Sequence, residues 1–183
     1  MYQDFKDLLS AFNAHRVKYL IIGGYAVALH AQPRATQDLD LFTKADPANA
    51  QAIYAALAAF GAPVENLRME DLADRSSFIR FGREPVAVDI HSAIPGVEFD
   101  AAWESRVEAI IDPQSGLKAF FLSRDDLVAS KLASGRTRDL ADVEEIREAA
   151  ESQRAVGSTK AFQTDTGQPK PVNASLASPY IIL

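Results

Sequence analysis

The amino-acid sequence predicts an α/β fold, in which a small mixed β-sheet is flanked by helices and followed by a short C-terminal helical unit. The first indication is a short apolar run at residues 19–22, typical of a buried strand, that leads directly into Gly23 and Gly24. The second is the segment Val86–His91, where apolar and polar residues alternate as in a strand with one buried face. The third is a pair of helical segments after Ser123. Strands that alternate with helices indicate a sheet and helices that share one core.

Composition predicts a single-domain, cytoplasmic protein. The chain has 183 residues, of which 48% are hydrophobic and 24% charged, as is ordinary for a globular domain. It contains no cysteine, which excludes disulfides and thiolate metal sites. No apolar run has the length of a membrane span, and the acidic N-terminal segment is not typical of a signal peptide. The net charge of −6 argues against a wholly basic nucleic-acid-binding surface but is compatible with a local basic groove.

The other elements follow from local patterns. Helices are predicted where apolar residues recur at helical spacing, and strands where short apolar or alternating runs lie between turn residues. The predicted helices cover 5–12, 47–60, 124–133 and 137–150, and the predicted strands cover 64–69, 78–81, 86–91, 110–111 and 117–122. Asp46 and Ser123 are expected helix N-caps, whereas 70–74 and 82–85 are expected to form turns.

The composition divides the chain into three parts. Residues 1–121 are expected to form the core, and 122–150 a helical unit that closes a cleft, with Leu140, Val143 and Ile146 on its apolar stripe. From residue 151 onward Ser, Gln, Thr, Gly, Pro and Asn dominate, which predicts a flexible tail over 151–183. The apolar residues 180–183 either add to a sheet edge or a partner, or form an unstructured end.

Two carboxylates and two glycines give the first indication of chemistry. Asp38 and Asp40 are two residues apart, so on a strand their side chains leave the same face. Neighbouring carboxylates repel each other unless a cation lies between them, and Mg²⁺ prefers one or two carboxylates together with phosphates. Gly23 and Gly24 allow a tight turn, and the free N–H groups of the helix that follows suit a phosphate. The pattern therefore predicts a magnesium–nucleotide site.

The order of these motifs is similar to that of a known superfamily. Residues 19–42, with the sequence YLIIGGYAVALHAQPRATQDLDLF, resemble the first motif of the DNA polymerase β-like nucleotidyltransferases: a Gly-Gly turn, a helix and Asp-x-Asp. The ending Arg34-x-Thr36-x-Asp38-x-Asp40 resembles the AbiEii-type branch, as does the later segment 122–146, with the sequence LSRDDLVASKLASGRTRDLADVEEI. The resemblance implies a nucleotidyltransferase-like fold.

One position departs from the motif, which bears on phosphate binding. Many nucleotidyltransferases carry Ser after the two glycines, whereas this chain has Tyr25. Phosphate contacts are therefore expected from backbone amides or from other side chains. Arg34 and Thr36 either order the loop before the Asp-x-Asp pair or contact the triphosphate directly.

The resemblance also implies a mechanism. Asp89, on the alternating strand, would join Asp38 and Asp40 in a three-carboxylate site for two Mg²⁺ ions. An acceptor hydroxyl would attack the α-phosphorus of a nucleoside triphosphate, Asp89 would assist its deprotonation, and pyrophosphate would leave. His91 shares the face of Asp89, where it either lines the pocket or is structural.

Four residues of the later segment complete the expected site. The resemblance implies that Lys131 reaches the triphosphate and that Arg136 and Arg138 frame the site, whereas the residues alone also suit an exposed helix charge followed by a basic loop. Asp139 either orients Lys131, contacts the nucleotide or simply favours a helix N-terminus.

The acceptor and the biological role follow from the resemblance, and the arginines give modest independent support for the acceptor. It implies a toxin-like role, with an RNA end or a protein hydroxyl as acceptor and a cognate antitoxin as partner. Arg68, Arg75, Arg80 and Arg83 either line a basic groove with Arg136 and Arg138, as phosphate-backbone binding requires, or pair with acids on the surface. A catalytically silent nucleotide- or partner-binding module of the same fold is the alternative.

Overall fold

A computed structural model describes residues 1–33, 35–83 and 86–162 of the chain, without the side chains at 83, 86 and 156–162. Within these residues the protein is a mixed α/β structure with one six-stranded open sheet and seven helices, as the sequence predicts. The elements in chain order are α1 (Gln3–Ala14), β1 (Tyr19–Ile21), α2 (Gly23–His30), β2 (Asp38–Thr43), α3 (Pro47–Phe60), α4 (Met69–Ala73), β3 (Phe78–Arg83), β4 (Val86–His91), α5 (Phe99–Glu104), β5 (Val107–Asp112), β6 (Leu117–Phe121), α6 (Arg124–Ser134) and α7 (Thr137–Phe162).

The sheet has the strand order β3-β4-β2-β1-β6-β5 and mixes both pairing directions. Strands β2 and β4 are parallel, as are β1 and β6, whereas the other neighbours are antiparallel. Leu39 and Leu41 of β2 are fully buried, whereas Asp38 and Asp40, which alternate with them, are only partly buried. This alternation confirms the predicted strand phase and places both carboxylates on one face.

Helix boundaries follow the capping signals in the sequence. Asp46 Oδ1 accepts a hydrogen bond from the Asn49 backbone N–H at 2.7 Å, so it caps α3 as predicted. Ser123 Oγ accepts from the Asp126 backbone N–H at 3.2 Å and caps α6. Both helices end at a glycine in the left-handed conformation, Gly61 and Gly135.

The segment after α3 differs from the prediction. Residues 64–69 do not form a strand, and the Leu67 backbone N–H instead donates to the Val64 carbonyl across a turn. Val64 and Leu67 are three residues apart, so a turn brings both against the core where a strand would separate them. The predicted turn at 70–74 is largely helix α4, which fully buried Leu72 anchors.

Helix α7 is longer than predicted and presents a different stripe. It continues to Phe162 rather than ending near residue 150, because Glu, Gln, Arg and Ala after that position are good helix formers. Leu140 is 45% exposed, whereas Asp139 and Asp142 are buried beside Val143 and Ile146. The expected flexible tail overlaps this helix up to 162, and the rest of it, with the apolar 180–183, lies outside the described residues.

Among the described residues, none of the helices combines the length and the apolar character that crossing a membrane requires.

Candidate functional site

Three charged side chains form a row across neighbouring strands. Asp40 on β2 is the register partner of Asp89 on β4, and Asp89 is in turn the register partner of Arg80 on β3. Register partners project from the same face of a sheet, so the three side chains lie side by side. The convergence of Asp40 and Asp89 is the arrangement that strand phase predicts from the sequence.

Asp89 is the most buried of these carboxylates. Its residue is 7% exposed, and its Oδ2 accepts a hydrogen bond from Arg80 Nη1 at 3.3 Å. Its Oδ1 is buried and has no hydrogen-bond partner among the residues that the structure describes. Burial raises the pKa of Asp89, and the nearby Asp40 carboxylate adds to the rise, while the guanidinium of Arg80 opposes it. A buried carboxylate oxygen without a partner costs free energy that a bound cation would offset.

His91 extends the cluster along β4. One ligand atom from each of Asp40, Asp89 and His91 lies within 4.8 Å of the others, and His91 Nε2 is 3.7 Å from Asp40 Oδ1. The Phe78 ring packs against the imidazole with centroids 5.0 Å apart. The structure therefore places His91 in the site, which favours the pocket-lining alternative over a purely structural role.

Asp38 lies in the same cleft but outside this cluster. Its side chain is 41% exposed, and its Oδ1 accepts a hydrogen bond from Arg80 Nη2 at 3.5 Å. Arg80 thus bridges Asp38 and Asp89 and partly neutralises both.

The two glycines allow the start of α2 to approach the carboxylates. Gly23 has a φ of +61°, and a Cβ atom there would overlap with the carboxylate of Asp40. A Cβ on Gly24 would lie 2.5 Å from Thr36 Oγ1. In the described part of the chain, no side-chain N-cap closes the start of α2, so its first N–H groups are available for a ligand. Thr36 donates a hydrogen bond to the Asp38 carbonyl at 3.4 Å, a contact that orders the loop.

An open cleft of about 690 Å³ brings most of the predicted residues together. Its lining includes Gly23, Gly24, Thr36, Asp38, Asp40, Asp89, Lys131, Arg136, Arg138 and Asp139. Arg34, which was expected to order the loop or contact the triphosphate, lies outside the described residues. The cleft wall opposite the sheet comes from α6 and from the start of α7, the elements of the predicted helical unit.

Lys131 belongs to a buried charge network rather than to the solvent-exposed face. Its residue is 8% exposed, and its Nζ lies 3.1 Å from Asp139 Oδ1 and 2.5 Å from Asp142 Oδ2. Arg136 Nε donates to Asp139 Oδ2 at 2.6 Å. Burial by itself would raise the pKa of Asp139, but the hydrogen bonds from Arg136 and Lys131 hold it at about 2. The exposed-charge alternative for Lys131 is therefore wrong, and Asp139 does contact Lys131.

A family comparison agrees with this geometry. The model of a family described as "Nucleotidyltransferase of unknown function (DUF6036)" matches residues 2–151. The chain belongs to this family. No curated protein matches the chain. For a member of a nucleotidyltransferase family, a nucleoside triphosphate is the substrate that the class implies.

Sequence reasoning missed three features of this nucleotidyltransferase-family site. It expects Arg80 either in a basic groove at the cleft or in a surface ion pair, whereas Arg80 contacts the site carboxylates Asp38 and Asp89 themselves. It did not select Asp142, although the spacing of Asp139 and Asp142 by three residues puts both on one helix face. It left His91 undecided, although the two-residue offset from Asp89 was the available signal.

Two other arginines of the expected basic groove form surface ion pairs. Arg68 donates to Asp71 at 2.7 Å and Arg75 to Glu98 at 2.8 Å. The side chain of Arg83 lies outside the described residues. The surface-pair alternative therefore holds for Arg68 and Arg75, whereas Arg80 contacts the carboxylates and Arg136 and Arg138 line the same cleft.

The side chains present are compatible with a divalent metal cofactor. Asp89 Oδ1 is buried without a partner, and carboxylate oxygens and an imidazole nitrogen are metal ligands of ordinary type.

Proposed function

We propose that this protein is a metal-dependent nucleotidyltransferase that moves a nucleoside monophosphate from a nucleoside triphosphate to a hydroxyl acceptor. The observation that carries the proposal is the register pairing of Asp40 with Asp89 beside the uncapped start of α2, with Asp89 Oδ1 buried and unpartnered. Carboxylates for a cation and free N–H groups for a phosphate thus lie in one cleft.

Asp40 and Asp89 would hold the cation, and Asp38 would join them once Arg80 releases it. A divalent ion bound there, or the two Mg²⁺ ions that the superfamily resemblance implies, would neutralise charge on the triphosphate and on the acceptor oxygen. The three carboxylates line the same cleft, which supports their role as metal ligands.

The triphosphate would bind at the N-terminus of α2. Gly23 and Gly24 line the cleft, with Gly23 close to the carboxylate of Asp40, and a helix start attracts anions. Arg136 and Arg138 line the opposite wall and would contact the phosphates that leave. Lys131 and Asp139 would act from the same wall, where their ion pair fixes the position of Arg136.

The reaction exchanges one phosphorus–oxygen bond for another. The acceptor oxygen bonds to the α-phosphorus, the bond from that phosphorus to the β-phosphate bridging oxygen breaks, and pyrophosphate leaves with the bonding electrons. The proton of the acceptor hydroxyl passes to the carboxylate of Asp89. Positioning by the cleft walls supplies most of the rate enhancement, because phosphoryl transfer needs alignment and charge stabilisation more than covalent help.

We further propose a macromolecular acceptor, either an RNA end or a protein hydroxyl, and a toxin role with a cognate antitoxin. The motif resemblance to the AbiEii-type branch supports this finer proposal. Arg80, Arg136 and Arg138 give independent support, because they provide cationic groups at the cleft of a protein whose net charge is −6.

A catalytically silent binding module is the second candidate, and one contact favours it. Arg80 bridges Asp38 and Asp89 at 3.5 and 3.3 Å and thereby occupies part of the place of a cation. In that case the cleft would bind a nucleotide or a partner without transfer.

A labelling assay distinguishes the candidates. The protein is incubated with Mg²⁺ or Mn²⁺, α-³²P-labelled triphosphates, total RNA and a protein extract, beside Asp40→Asn, Asp89→Asn and the surface control Asp100→Asn. Label in RNA or protein that needs Asp40 and Asp89 but not Asp100 supports the proposal. Label confined to small molecules refutes the macromolecular acceptor, and transfer by none of the proteins supports the silent module.

A further inference from the structure

His91 lies among the carboxylates of the cleft, and its position bears on the identity of the metal. We propose that the imidazole of His91 is a direct metal ligand that forms a one-ion site with Asp40 and Asp89, and that this site prefers a transition-metal ion of the Mn²⁺ class to Mg²⁺. The inference rests on the proposed function in taking the cleft as metal-dependent, and it adds a ligand and an ion class.

The geometry supplies three ligand atoms for one ion. Ligand atoms of Asp40, Asp89 and His91 lie within 4.8 Å of one another, which is a span that a single cation can bridge. Asp89 is 7% exposed, and within residues 1–33, 35–83 and 86–162 its Oδ1 has no hydrogen-bond partner. An unpartnered oxygen in such a position is the independent observation that points to a bound cation.

Asp38 is held outside this set. Arg80 Nη2 lies 3.5 Å from Asp38 Oδ1, and the Asp38 side chain is 41% exposed. Because Arg80 also contacts Asp89 through Oδ2 alone, the other oxygen of Asp89 stays available. The resting site therefore contains two carboxylates and one imidazole rather than three carboxylates.

The imidazole is held in place by its neighbours. Phe78 and His91 are register partners on β3 and β4, and their rings pack with centroids 5.0 Å apart and an interplanar angle of 55°. On the other side His91 Nε2 is 3.7 Å from Asp40 Oδ1. A ring confined between a phenyl group and a carboxylate loses little further freedom when it binds a metal.

The nitrogen ligand decides the ion class. Mg²⁺ takes oxygen ligands in near-ideal octahedral geometry, whereas imidazole suits transition metals, and affinity for mixed nitrogen and oxygen sites rises from Mn²⁺ towards Cu²⁺. A site with two carboxylates and one imidazole is thus expected to bind Mn²⁺ more tightly than Mg²⁺. Replacement of the imidazole should reduce that difference.

Pulsed electron paramagnetic resonance of bound Mn²⁺ tests the ligand directly. We expect the nitrogen coupling of a coordinated imidazole in the full-length protein, its loss in His91→Asn and its retention in His15→Asn, which changes an exposed histidine outside the cleft. Mn²⁺ affinity should fall at least about tenfold in His91→Asn, since even the loss of a residue that only orients a metal ligand costs about 10–100-fold. Mg²⁺ affinity should fall less.

Each outcome decides between the proposals. Tight Mn²⁺ binding that Asp40→Asn abolishes, but without nitrogen coupling in the unmodified protein, overturns the His91 ligand and leaves the proposed function intact. An equal loss of Mn²⁺ and Mg²⁺ affinity in His91→Asn overturns the ion preference. Absence of Mn²⁺ binding overturns the His91 proposal, and absence of both Mn²⁺ and Mg²⁺ binding in the presence of nucleotide overturns the proposed function as well. Because the spectrum of the unmodified protein is itself decisive, a variant that fails to fold does not prevent the test.

Discussion

Replacing Lys131 by Met tests the buried charge network between α6 and α7. Lys131 is 8% exposed, and its two carboxylate partners, Asp139 and Asp142, are 4% and 2% exposed. Met keeps the length of the side chain but removes the ammonium that lies 3.1 and 2.5 Å from these carboxylates. Breaking a buried ion pair on one side costs about 3–5 kcal/mol, because a buried charge loses its compensation.

The magnitude can be checked against a surface pair. Lys118 and Glu108 form an ion pair at 2.7 Å with side chains 56% and 47% exposed. Lys118→Met is therefore expected to cost no more than about 1 kcal/mol. For a chain of 183 residues, the loss in Lys131→Met corresponds to a fall in Tm of about 10 °C. Urea unfolding of both variants gives the two free energies.

The fall in the free energy of unfolding at acid pH should also differ in Lys131→Met. The pKa of Asp139 is about 2 in the folded protein, against an ordinary value of 3.8. Its contribution of about 2 kcal/mol is therefore complete above about pH 4 and lost as pH falls towards 2. Without Lys131 the pKa of Asp139 in the folded protein rises. Asp139 then contributes less to stability, and the variant loses less stability as pH falls from about 4 towards 2. The buried ion pair would be refuted if Lys131→Met and Lys118→Met lost the same free energy of unfolding. The pH dependence of stability below about pH 4 would then also be the same as in the unmodified protein.

Three further changes test the cleft. Asp40→Asn should abolish transfer. Because it removes a charge beside Asp89, it should leave the unfolding free energy of the metal-free protein unchanged or raise it by up to about 1 kcal/mol. Strong destabilisation in a thermal melt would show that Asp40 is structural instead. Arg80→Met should raise Mn²⁺ affinity about three- to tenfold, measured by calorimetry, because the competing guanidinium is gone; weaker binding would contradict this. In urea unfolding, Gly23→Ala should cost at least about 1 kcal/mol more than Gly61→Ala. A Cβ at Gly23 would overlap with Asp40, whereas a Cβ at Gly61 meets no atom within 4 Å. Equal costs would show that the Asp40 side chain moves aside freely.

Local signals explain why most of the fold is predictable from the sequence. The caps at Asp46 and Ser123 and the glycines that end α3 and α6 act within a few residues, so they fix helix boundaries independently of the rest of the chain. The alternation in β2 and β4 is equally local. It fixes which face of its strand each carboxylate takes, and the pairing of β2 with β4 then brings Asp40 and Asp89 together.

Features that depend on long-range packing were not accessible in this way. Arg80 meets Asp89 only because β3 and β4 pair in one particular register, which the alternation of either strand alone does not specify. The burial of Lys131 was missed for a related reason. The sequence predicts an apolar buried face for α7. In the structure, Asp139 and Asp142 also lie on that face, and their burial depends on the ammonium of Lys131 from α6.

The position of a bound nucleotide tests the central claim most directly. A crystal structure of the protein with Mn²⁺ and a non-hydrolysable triphosphate analogue, with anomalous data to locate the metal, supplies it. We expect an anomalous peak within coordination distance of Asp40 and Asp89, with the phosphates against the N–H groups of Gly23 and Gly24. A nucleotide bound outside the cleft, or a cleft with the Arg80 bridge intact and no metal at these carboxylates, would contradict it.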